Sequence, residues 1–462
     1  MPSPLILSYP LAVITAGQTA RGRRGDRDED RQLKILSCGI VLMLSIAPAI
    51  AAAPAQPPVM MTFWADQGPL RRSFPVPGSR DAAGVRQRNR EFRAQLNDVD
   101  VLAYAFLDVD AAGNVYFRNP AVDLSAADRV GFCTWHRAAC PGDARRADGS
   151  FDAFTRLENR AGTLRKIVSV GGAHSQRTMN HVLAHPVRFV RSVVALVSAY
   201  HLDGVDLDFE PDSFFFDDQG RQLVALADLL RGALGPAAFL SVELPTDWET
   251  LRSIECSGTN GCADNLAALA RVAYLSLMGY AVHAPSYPGP AITANDSNLF
   301  SDPNEPLLGG FDHISDVQAI DYLTFLGVPP NRLVLEFPAF TERYAGVTHP
   351  GTRHGLYQPF ERSSPQNQDG GAYRAVPRLL ESGFRLHYVW ADHVISAAFA
   401  YDRRTGQWIS LEDPASVAAK AHYVRGHDLG GMAMWQIGDD RPPSRGGSLL
   451  ETAYRILHDH AQ

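Results

Sequence analysis

Three carboxyl side chains alternate with apolar ones near the middle of this 462-residue chain. Asp206, Asp208 and Glu210 stand two residues apart, so in a β-strand they point to one face. The other face takes an apolar set, which consists of Val205, Leu207 and Phe209. Burial and like charges at this spacing both raise the pKa of a carboxyl, so the pattern predicts an acid that stays protonated at neutral pH. An exposed edge strand with solvated acids is the alternative, and the strongly apolar opposite face disfavours it.

Strand-like and helix-like segments alternate from about residue 58 onward, which is typical of a parallel sheet with crossover helices. Apolar residues at helical spacing, such as Leu223, Leu226 and Leu230, lie between the strands. Eight strands predict an α/β fold, a closed (β/α)8 TIM barrel, rather than an open doubly wound sheet. The predicted strands are residues 59–64, 99–107, 166–171, 204–210, 238–244, 272–280, 332–337 and 431–436.

The composition argues against some classes of partner. The chain has 43 Lys and Arg residues against 50 Asp and Glu residues, a formal net charge of −7. The basic residues are scattered and do not form a stripe along one face, so nucleic acid is not an expected partner. Nothing in the sequence indicates a metal or nucleotide cofactor, and we expect none.

The first 55 residues are predicted to be a leader with a signal peptide. Residues 22–34 are densely charged, and residues 35–50 are almost wholly apolar and run into small residues with Ala-x-Ala sites. A transmembrane anchor is the alternative on length, whereas Pro48 and the Ala-x-Ala sites favour cleavage. Cys38 lies at the start of the apolar run, which disfavours a lipoprotein. We expect an extracellular protein without a stable membrane anchor, with the periplasm as the other destination.

Four cysteines remain beyond the leader, and they fall into two close pairs. Cys133 precedes Cys140, and Cys256 precedes Cys262. An exported protein would use such pairs as local disulfides, so we expect two of them. Four free thiols are the alternative. A zinc site is disfavoured because neither pair has the two-residue spacing of a zinc motif.

The segment between the seventh and eighth predicted strands is too long for a barrel connection, so we expect it to hold a small domain of its own. Its last helix has a recognisable start, with Asp413 as the capping residue and Pro414 at the first helical position. The chain is therefore divided into a leader, a barrel body with strands one to seven, the insertion with its last helix, and the final strand and helix. The predicted bounds are residues 1–55, 56–340, 341–427 and 428–462.

Several segments resemble the motifs of one known family. Residues 203–210 fit the DxxDxDxE signature of family 18 glycoside hydrolases, the chitinase family. Residues 166–172 resemble its SxGG segment, residues 278–281 its M-x-Y-D segment, and residues 430–435 its last strand with a tryptophan. Residues 401–430 also resemble the chitinase subfamily that carries a small α+β insertion between the last two barrel strands. Their order and their barrel-sized spacing make the resemblance specific.

The resemblance implies a role for each of these side chains. Glu210 would be the general acid and then the base that activates water. Asp208 would orient the acetamido group of the substrate, shifting between Asp206 and Glu210, while the acetamido oxygen attacks the anomeric carbon. Tyr280 would donate its hydroxyl to that oxygen as the oxazolinium ion forms. The residues expected to contact the substrate are Trp435, as the floor beneath the sugar, Met278, Phe106 and Trp64. The residues expected to be structural are Asp203, which breaks the alternation of the acids, Ser169, Gly171 and Gly172.

Together with the leader, the resemblance implies a secreted, retaining chitinase that hydrolyses β-1,4-linked N-acetylglucosamine polymers by substrate-assisted catalysis. The expected partners are chitin or N-acetylglucosamine oligosaccharides, and we expect a monomer. Ala281 stands where the family usually has aspartate, and Phe209 replaces a tryptophan on the outer face of its strand. Ala281 leaves open a catalytically weak or inactive chitin-binding lectin. An endo-β-N-acetylglucosaminidase acting on glycans is the other alternative, and the insertion, which by resemblance walls a deep groove, disfavours it.

Overall fold

A computed structural model describes most of the chain downstream of the leader. The described residues are 57–65, 82–124, 150–211, 215–216, 218–256, 262–287, 289–306 and 313–459. The predicted leader and signal peptide, and the predicted Cys133–Cys140 pair, lie outside these ranges.

Strands within the described residues belong to two sheets. In chain order they are β1 Val59–Ala65, β2 Val101–Val109, β3 Val115–Phe117, β4 Arg165–Gly172, β5 Gly204–Phe209, β6 Phe239–Pro245, β7 Tyr274–Met278, β8 Leu333–Pro338, β9 Phe340–Tyr344, β10 Gln368–Ala372, β11 Arg385–Ala391, β12 Val394–Asp402, β13 Gln407–Leu411 and β14 Gly431–Trp435.

Eight parallel strands close into a barrel. The order of neighbours is β1, β14, β8, β7, β6, β5, β4 and β2, and β2 pairs with β1 in parallel, with Met61 opposite Val101. β3 adds to the rim as an antiparallel partner of β2. Each of the eight predicted strands overlaps one strand of this barrel. The predicted TIM barrel is therefore confirmed.

Helices cover the outside of the barrel. In chain order the described helices are Ala82–Gln95, Pro120–Asp123, Ser150–Thr155, Gln176–Ala184, Pro186–Ala199, Gln219–Leu234, Trp248–Glu255, Asn265–Val272, Asp316–Phe325, Val376–Ser382, Pro414–Gly426 and Leu449–His458. None of them alone has the length and apolar character to cross a membrane. Gln176–Ala184 and Pro186–Ala199 pass that test jointly, with a bend of 103° between them.

Strand alternation divides the apolar residues of the barrel strands between two cores. Val205 and Leu207 of β5 point outward and belong to the large core, together with Leu223 and Leu226 of the helix Gln219–Leu234. A smaller cluster, which includes Phe63 of β1, lies on the inner face of the strands. The polar side chains on that inner face are those of the candidate site, so the barrel interior is apolar in one part and strongly acidic in another.

An α+β insertion interrupts the barrel between β8 and β14. Five antiparallel strands form its sheet in the order β10, β9, β13, β12 and β11, and the short helix Val376–Ser382 lies between two of them in sequence. The fold-level prediction of a small α+β insertion at this point is confirmed. The helix Pro414–Gly426 leads back to the barrel. Its start is as predicted, because the Asp413 side chain accepts hydrogen bonds from the backbone N–H groups of Ala415 and Ser416.

A buried ammonium group links the insertion to the barrel. Lys420, on the helix Pro414–Gly426, is 0% exposed. Its Nζ lies 2.5 Å from Asp316 Oδ2 and 3.4 Å from Glu412 Oε1, and it donates a hydrogen bond to Ser297 Oγ at 2.9 Å. Glu412 follows β13 of the insertion sheet, whereas Asp316 begins a barrel helix. A cation buried so completely is stable only with such partners, so the two parts share one ionic cluster.

Cys256 and Cys262 form a disulfide in the structure. The bond closes a short loop directly after the helix Trp248–Glu255, and Cys256 is the residue that ends this helix. This pair is one of the two expected from the sequence.

Candidate active site

Asp206 is buried in the barrel interior between hydroxyl groups from both neighbouring strands. Ser169 Oγ of β4 donates to Asp206 Oδ2 at 2.6 Å, and Ser241 Oγ of β6 donates to Oδ1 at 2.6 Å. The strand register sets both serines directly beside Asp206, so all three share the inner face. Burial raises the pKa of Asp206 to about 6, although the two hydroxyls and Glu243 act in the opposite direction.

Asp208 is the least compensated acid of the row. It is 4% exposed, and no described group hydrogen-bonds to its buried Oδ1. Burial first, and then the neighbouring Glu210 and Asp206 carboxyls, raise the pKa of Asp208 well above its ordinary value. A buried carboxyl with a vacant oxygen can accept a hydrogen bond from a ligand N–H group.

Glu210 follows the last residue of β5, at the carboxyl end of the strand, and is partly buried. Its backbone is fixed by Ser175, whose Oγ accepts the Glu210 N–H at 2.8 Å and donates to the Asp208 carbonyl oxygen at 3.1 Å. Burial first, and then the Glu336 charge, raise the pKa of the Glu210 carboxyl to about 7, although His174 acts in the opposite direction. A carboxyl with a pKa in this range can carry a proton near neutral pH, as a general acid requires.

Two glycines at the end of β4 let the backbone pass close to this row. A Cβ on Gly171 would lie 1.9 Å from the Asp208 carbonyl oxygen, and φ of Gly171 is +122°. A Cβ on Gly172 would lie 2.8 Å from the Phe106 ring, and φ of Gly172 is +93°. Any larger residue would displace either the acid row or the aromatic ring beside it.

Tyr280 lies just past β7 and bonds to an acid on β8. Its hydroxyl donates to Glu336 Oε2 at 2.7 Å, and Ser276 Oγ donates to the other oxygen, Oε1. Glu336 is 0% exposed. Burial first, and then the Glu336 charge, raise the pKa of Tyr280 well above its ordinary value, so the phenol keeps its proton.

A further carboxyl, Glu243 of β6, lies between the acid row and Glu336. It is 3% exposed, and no described hydroxyl, amide or cation hydrogen-bonds to either of its oxygens. Its charged neighbours are other carboxyls, namely those of Glu336 and Asp206. Burial, then the charges of Glu336 and Asp206, raise the pKa of Glu243 well above its ordinary value. This environment favours the protonated form of Glu243.

An aromatic wall flanks the acids. The Trp435 ring, at the end of β14, stacks on Phe106 with centroids 5.3 Å apart and an interplanar angle of 12°. Phe63 of β1 contacts the same tryptophan at 5.3 Å. Met278 shares the inner face of β7 with Ser276 by strand alternation and is partly exposed. Flat apolar rings of this kind can cover the face of a sugar.

The prediction that Trp64 contacts the substrate is wrong. Trp64 is 1% exposed and packs in the outer core against Phe92 and Phe154, at centroid distances of 5.5 and 5.9 Å. Strand alternation turns Trp64 toward the helices because its neighbour Phe63 points inward. Phe63 is therefore the β1 side chain that reaches the aromatic wall.

Asp203 lies outside the acid row and joins strands. Its Oδ2 accepts the backbone N–H of Lys166 at 2.7 Å, and its backbone carbonyl accepts the N–H of Phe239 at 2.8 Å. These bonds connect the start of β5 to β4 and β6, which is a structural role.

Sequence reasoning missed Glu243, Glu336 and Ser175. Glu243 and Glu336 are each the single charged residue of their strand, and apart from Ser241 the other residues of β6 and β8 are apolar. A lone acid in a buried strand is costly unless it serves a site, and this signal could have found both. Ser175 carries no comparable signal, because its part depends on loop geometry.

A closed barrel with buried carboxyls and an aromatic wall at the carboxyl ends of its strands is the arrangement of a glycoside hydrolase. The profile of Glycosyl hydrolases family 18 matches residues 81–440. The chain belongs to this family, and the resemblance stated from its motifs is confirmed.

Two named relatives are chitinases, and a solved structure shares the fold. Chitinase 1 of Aphanocladium album is 22% identical over 378 residues, covering 78% of this chain and 80% of the relative. Chitinase B of Serratia marcescens is 24% identical over 382 residues, covering 71% of this chain and 73% of the relative. The structure of a mutant class V chitinase from Nicotiana tobaccum in complex with NAG4 aligns with a TM-score of 0.60 at 18% identity, covering 87% of this chain and 99% of that one.

Proposed function

We propose that the chain is a retaining chitinase that cleaves β-1,4-linked N-acetylglucosamine polymers with the acetamido group of the substrate as nucleophile. The observation that carries this proposal is the position of Glu210. Its carboxyl, with a pKa of about 7, stands at the mouth of the barrel directly after two buried acids of the same strand face. Glycoside hydrolysis needs a protonated acid at the leaving oxygen, and Glu210 is the member of the row that is partly open to solvent.

The buried acids fit the second requirement of this chemistry, which is control of the acetamido group. Asp208 offers the vacant oxygen Oδ1 to an N–H donor. Asp206 beneath it is held by two serine hydroxyls, so its position is fixed while Asp208 reorients. Fixing the acetamido group turns attack on the anomeric carbon into an intramolecular step.

The charge that develops on the acetamido group needs a donor and an apolar surface. Tyr280 has a protonated hydroxyl next to the acids, and it would donate to the acetamido oxygen as the oxazolinium ion forms. The stacked Trp435 and Phe106 rings would support the sugar face. Glu210 then takes a proton from the water that attacks the anomeric carbon. The oxazolinium ring reopens, and the configuration at that carbon is retained.

Turnover of a chitin hexasaccharide tests the assignment. Wild type should release reducing ends, and the first product seen by proton NMR should be the β-anomer. Glu210→Gln should lower turnover by about 10²–10⁴-fold, because the proton donor is lost, and should still bind the hexasaccharide. Glu158→Gln, which changes an exposed loop carboxyl, is the matched control and should turn over normally. Near-normal turnover by Glu210→Gln, or an α-anomer as first product, would refute the mechanism.

Ala281 favours one second candidate, a chitin-binding lectin on the same fold. An alanine with φ of +58° stands in the Tyr280 loop where the family motif has aspartate. A lectin would bind the hexasaccharide without releasing any reducing end, so the same experiment separates the two functions.

We also propose that the protein is exported. The charged and apolar leader and the Cys256–Cys262 disulfide both fit an oxidising destination. Protein recovered from the culture medium should begin near the Ala-x-Ala sites and should have no alkylatable thiol before reduction. An intact leader, or free thiols in the exported protein, would contradict export with disulfide formation.

A further inference from the structure

Two acids inside the barrel have no role in the chemistry described so far. Glu243 of β6 and Glu336 of β8 are 3% and 0% exposed. They lie between Asp206 of the acid row on one side and Tyr280 on the other. Two buried carboxyls at such a place would destabilise the fold unless their charge were reduced.

The surroundings of Glu243 favour a proton on one of the two carboxyls. No described hydroxyl, amide or cation hydrogen-bonds to Glu243, which pairs in the strand register with Ser276, the residue that donates to Glu336 Oε1. Two ionised carboxylates buried on either side of one serine would repel each other, so we expect one of the pair to carry a proton. Glu336 accepts from Tyr280 and Ser276 at its two oxygens, which leaves Glu243 as the protonated partner in the resting protein.

Tyr280 has a single hydroxyl proton, and in the resting protein it is directed to Glu336 Oε2 at 2.7 Å. If that proton turned toward an acetamido oxygen, the phenol oxygen and an ionised Glu336 would face each other as two acceptors. That contact is unfavourable in a buried site. A proton on Glu336 would remove the conflict, because the carboxyl could then donate to the phenol oxygen.

We propose, on the basis of the function proposed above, that Glu336 is a positioning residue that frees Tyr280 to donate to the substrate. The proton shared with Glu243 moves to Glu336 as the Tyr280 proton turns to the acetamido oxygen. One O–H bond breaks at Glu243 and one forms at Glu336, no electrons are transferred, and the step reverses when product leaves. The other ionisable groups that face the pair are Asp206, Asp208 and Glu210.

Two substitutions of Glu336 separate this role from a purely structural one. Glu336→Gln keeps an acceptor for Ser276 and gives Tyr280 a permanent N–H donor, so kcat on the hexasaccharide should fall less than about threefold. Glu336→Leu removes the donor and should lower kcat about 10²-fold with little change in KM, because the lost interaction acts in the transition state. Glu255→Leu, which removes a buried carboxyl that caps the helix Asn265–Val272, is the control and should retain its turnover per folded molecule.

A double-mutant cycle with Tyr280→Phe tests whether Glu336 acts through Tyr280. Without the hydroxyl there is no proton to redirect, so adding Glu336→Leu to Tyr280→Phe should cause no further loss of kcat. An additional loss equal to that of the single Glu336→Leu change would overturn the proposal, and so would a Glu336→Gln variant as poor as Glu336→Leu.

Infrared spectroscopy tests the shared proton without any turnover. At about pH 8, above the ordinary range of a carboxyl, the C=O band of protonated carboxyl groups should lose intensity in Glu243→Gln, with the exposed Glu158→Gln as reference. An unchanged band would overturn the shared proton even in an active enzyme. Loss of the band in a protein that binds chitin oligosaccharides without cleaving them would support the pair and would refute only the proposed catalytic function.

Discussion

Glu210→Gln should change the free energy of unfolding in a pH-dependent manner as well as lower turnover. Burial raises the pKa of Glu210 from 4.5 to about 7. Below 4.5 the carboxyl is protonated in both the folded and the unfolded chain, so it contributes no difference. Between 4.5 and about 7 the folded chain holds a proton that the unfolded chain releases, so the free energy of unfolding falls as pH rises. Above about 7 the carboxyl is ionised in both states, and the folded chain bears the full free-energy cost of the buried charge.

The size of this stability change follows from the pKa shift of Glu210. About 2.5 pKa units at 1.36 kcal/mol each give about 3 kcal/mol, an upper value because the side chain is partly open to solvent. Glutamine cannot ionise and therefore avoids this cost. Glu210→Gln should be more stable than wild type by up to about 3 kcal/mol at about pH 8 and within about 0.5 kcal/mol of it at about pH 4.5.

Urea unfolding followed by circular dichroism at the two pH values measures the effect. Glu158→Gln, on an exposed loop, should leave the free energy of unfolding unchanged at both. The reasoning fails if Glu210→Gln is equally stabilising at both pH values, or if it is destabilising at about pH 8. Either result would mean that the Glu210 carboxylate is well solvated or paired.

Three further predictions follow from the site. Because Glu210 must be protonated to act, kcat/KM should fall as pH rises through about 7, and a flat profile up to about pH 9 would contradict this role. Trp435→Ala should weaken hexasaccharide binding about tenfold in calorimetry on the Glu210→Gln background, and unchanged affinity would exclude Trp435 as the sugar floor. Gly171→Ala should lower the free energy of unfolding by about 3 kcal/mol or more in urea, because its Cβ would lie 1.9 Å from the Asp208 carbonyl oxygen. Gly232 lies in a helix, and a Cβ added there would have no atom within 4 Å, so Gly232→Ala should instead raise the free energy of unfolding by up to about 1 kcal/mol. Equal effects of the two changes would refute the close approach at Gly171.

The acid row could be predicted from sequence because its two faces differ sharply in polarity. Acids alternate with apolar residues in β5, so only one orientation buries Leu207 against the helices. β1 offers no such contrast, since nearly every residue from Val59 to Ala65 is apolar. Its inner face is set by pairing with β14 and β2, and Trp64 was therefore assigned to the wrong side.

Other parts of the site depend on contacts between strands that are distant in sequence. Glu243 and Glu336 are more than 90 residues apart in the chain, and the pairing of β6 and β8 with the two sides of β7 brings their carboxyls together. Each could have been singled out as the lone charged residue of a buried strand, but their pairing could not. The close approach of Gly171 to Asp208 likewise depends on the β4–β5 register, which a single sequence does not specify.

The ionic cluster around Lys420 limits how this chain can be redesigned. The insertion looks like a removable cassette, because it enters and leaves the barrel between two adjacent strands. Excising the insertion through residue 412 would delete Glu412 and, among the described groups, leave the buried ammonium with Asp316 as its single carboxylate. A trimmed, smaller variant would therefore need Lys420 replaced by an apolar side chain of similar length at the same time, and grafting the insertion onto another barrel would need the acceptor carboxylate supplied by the host.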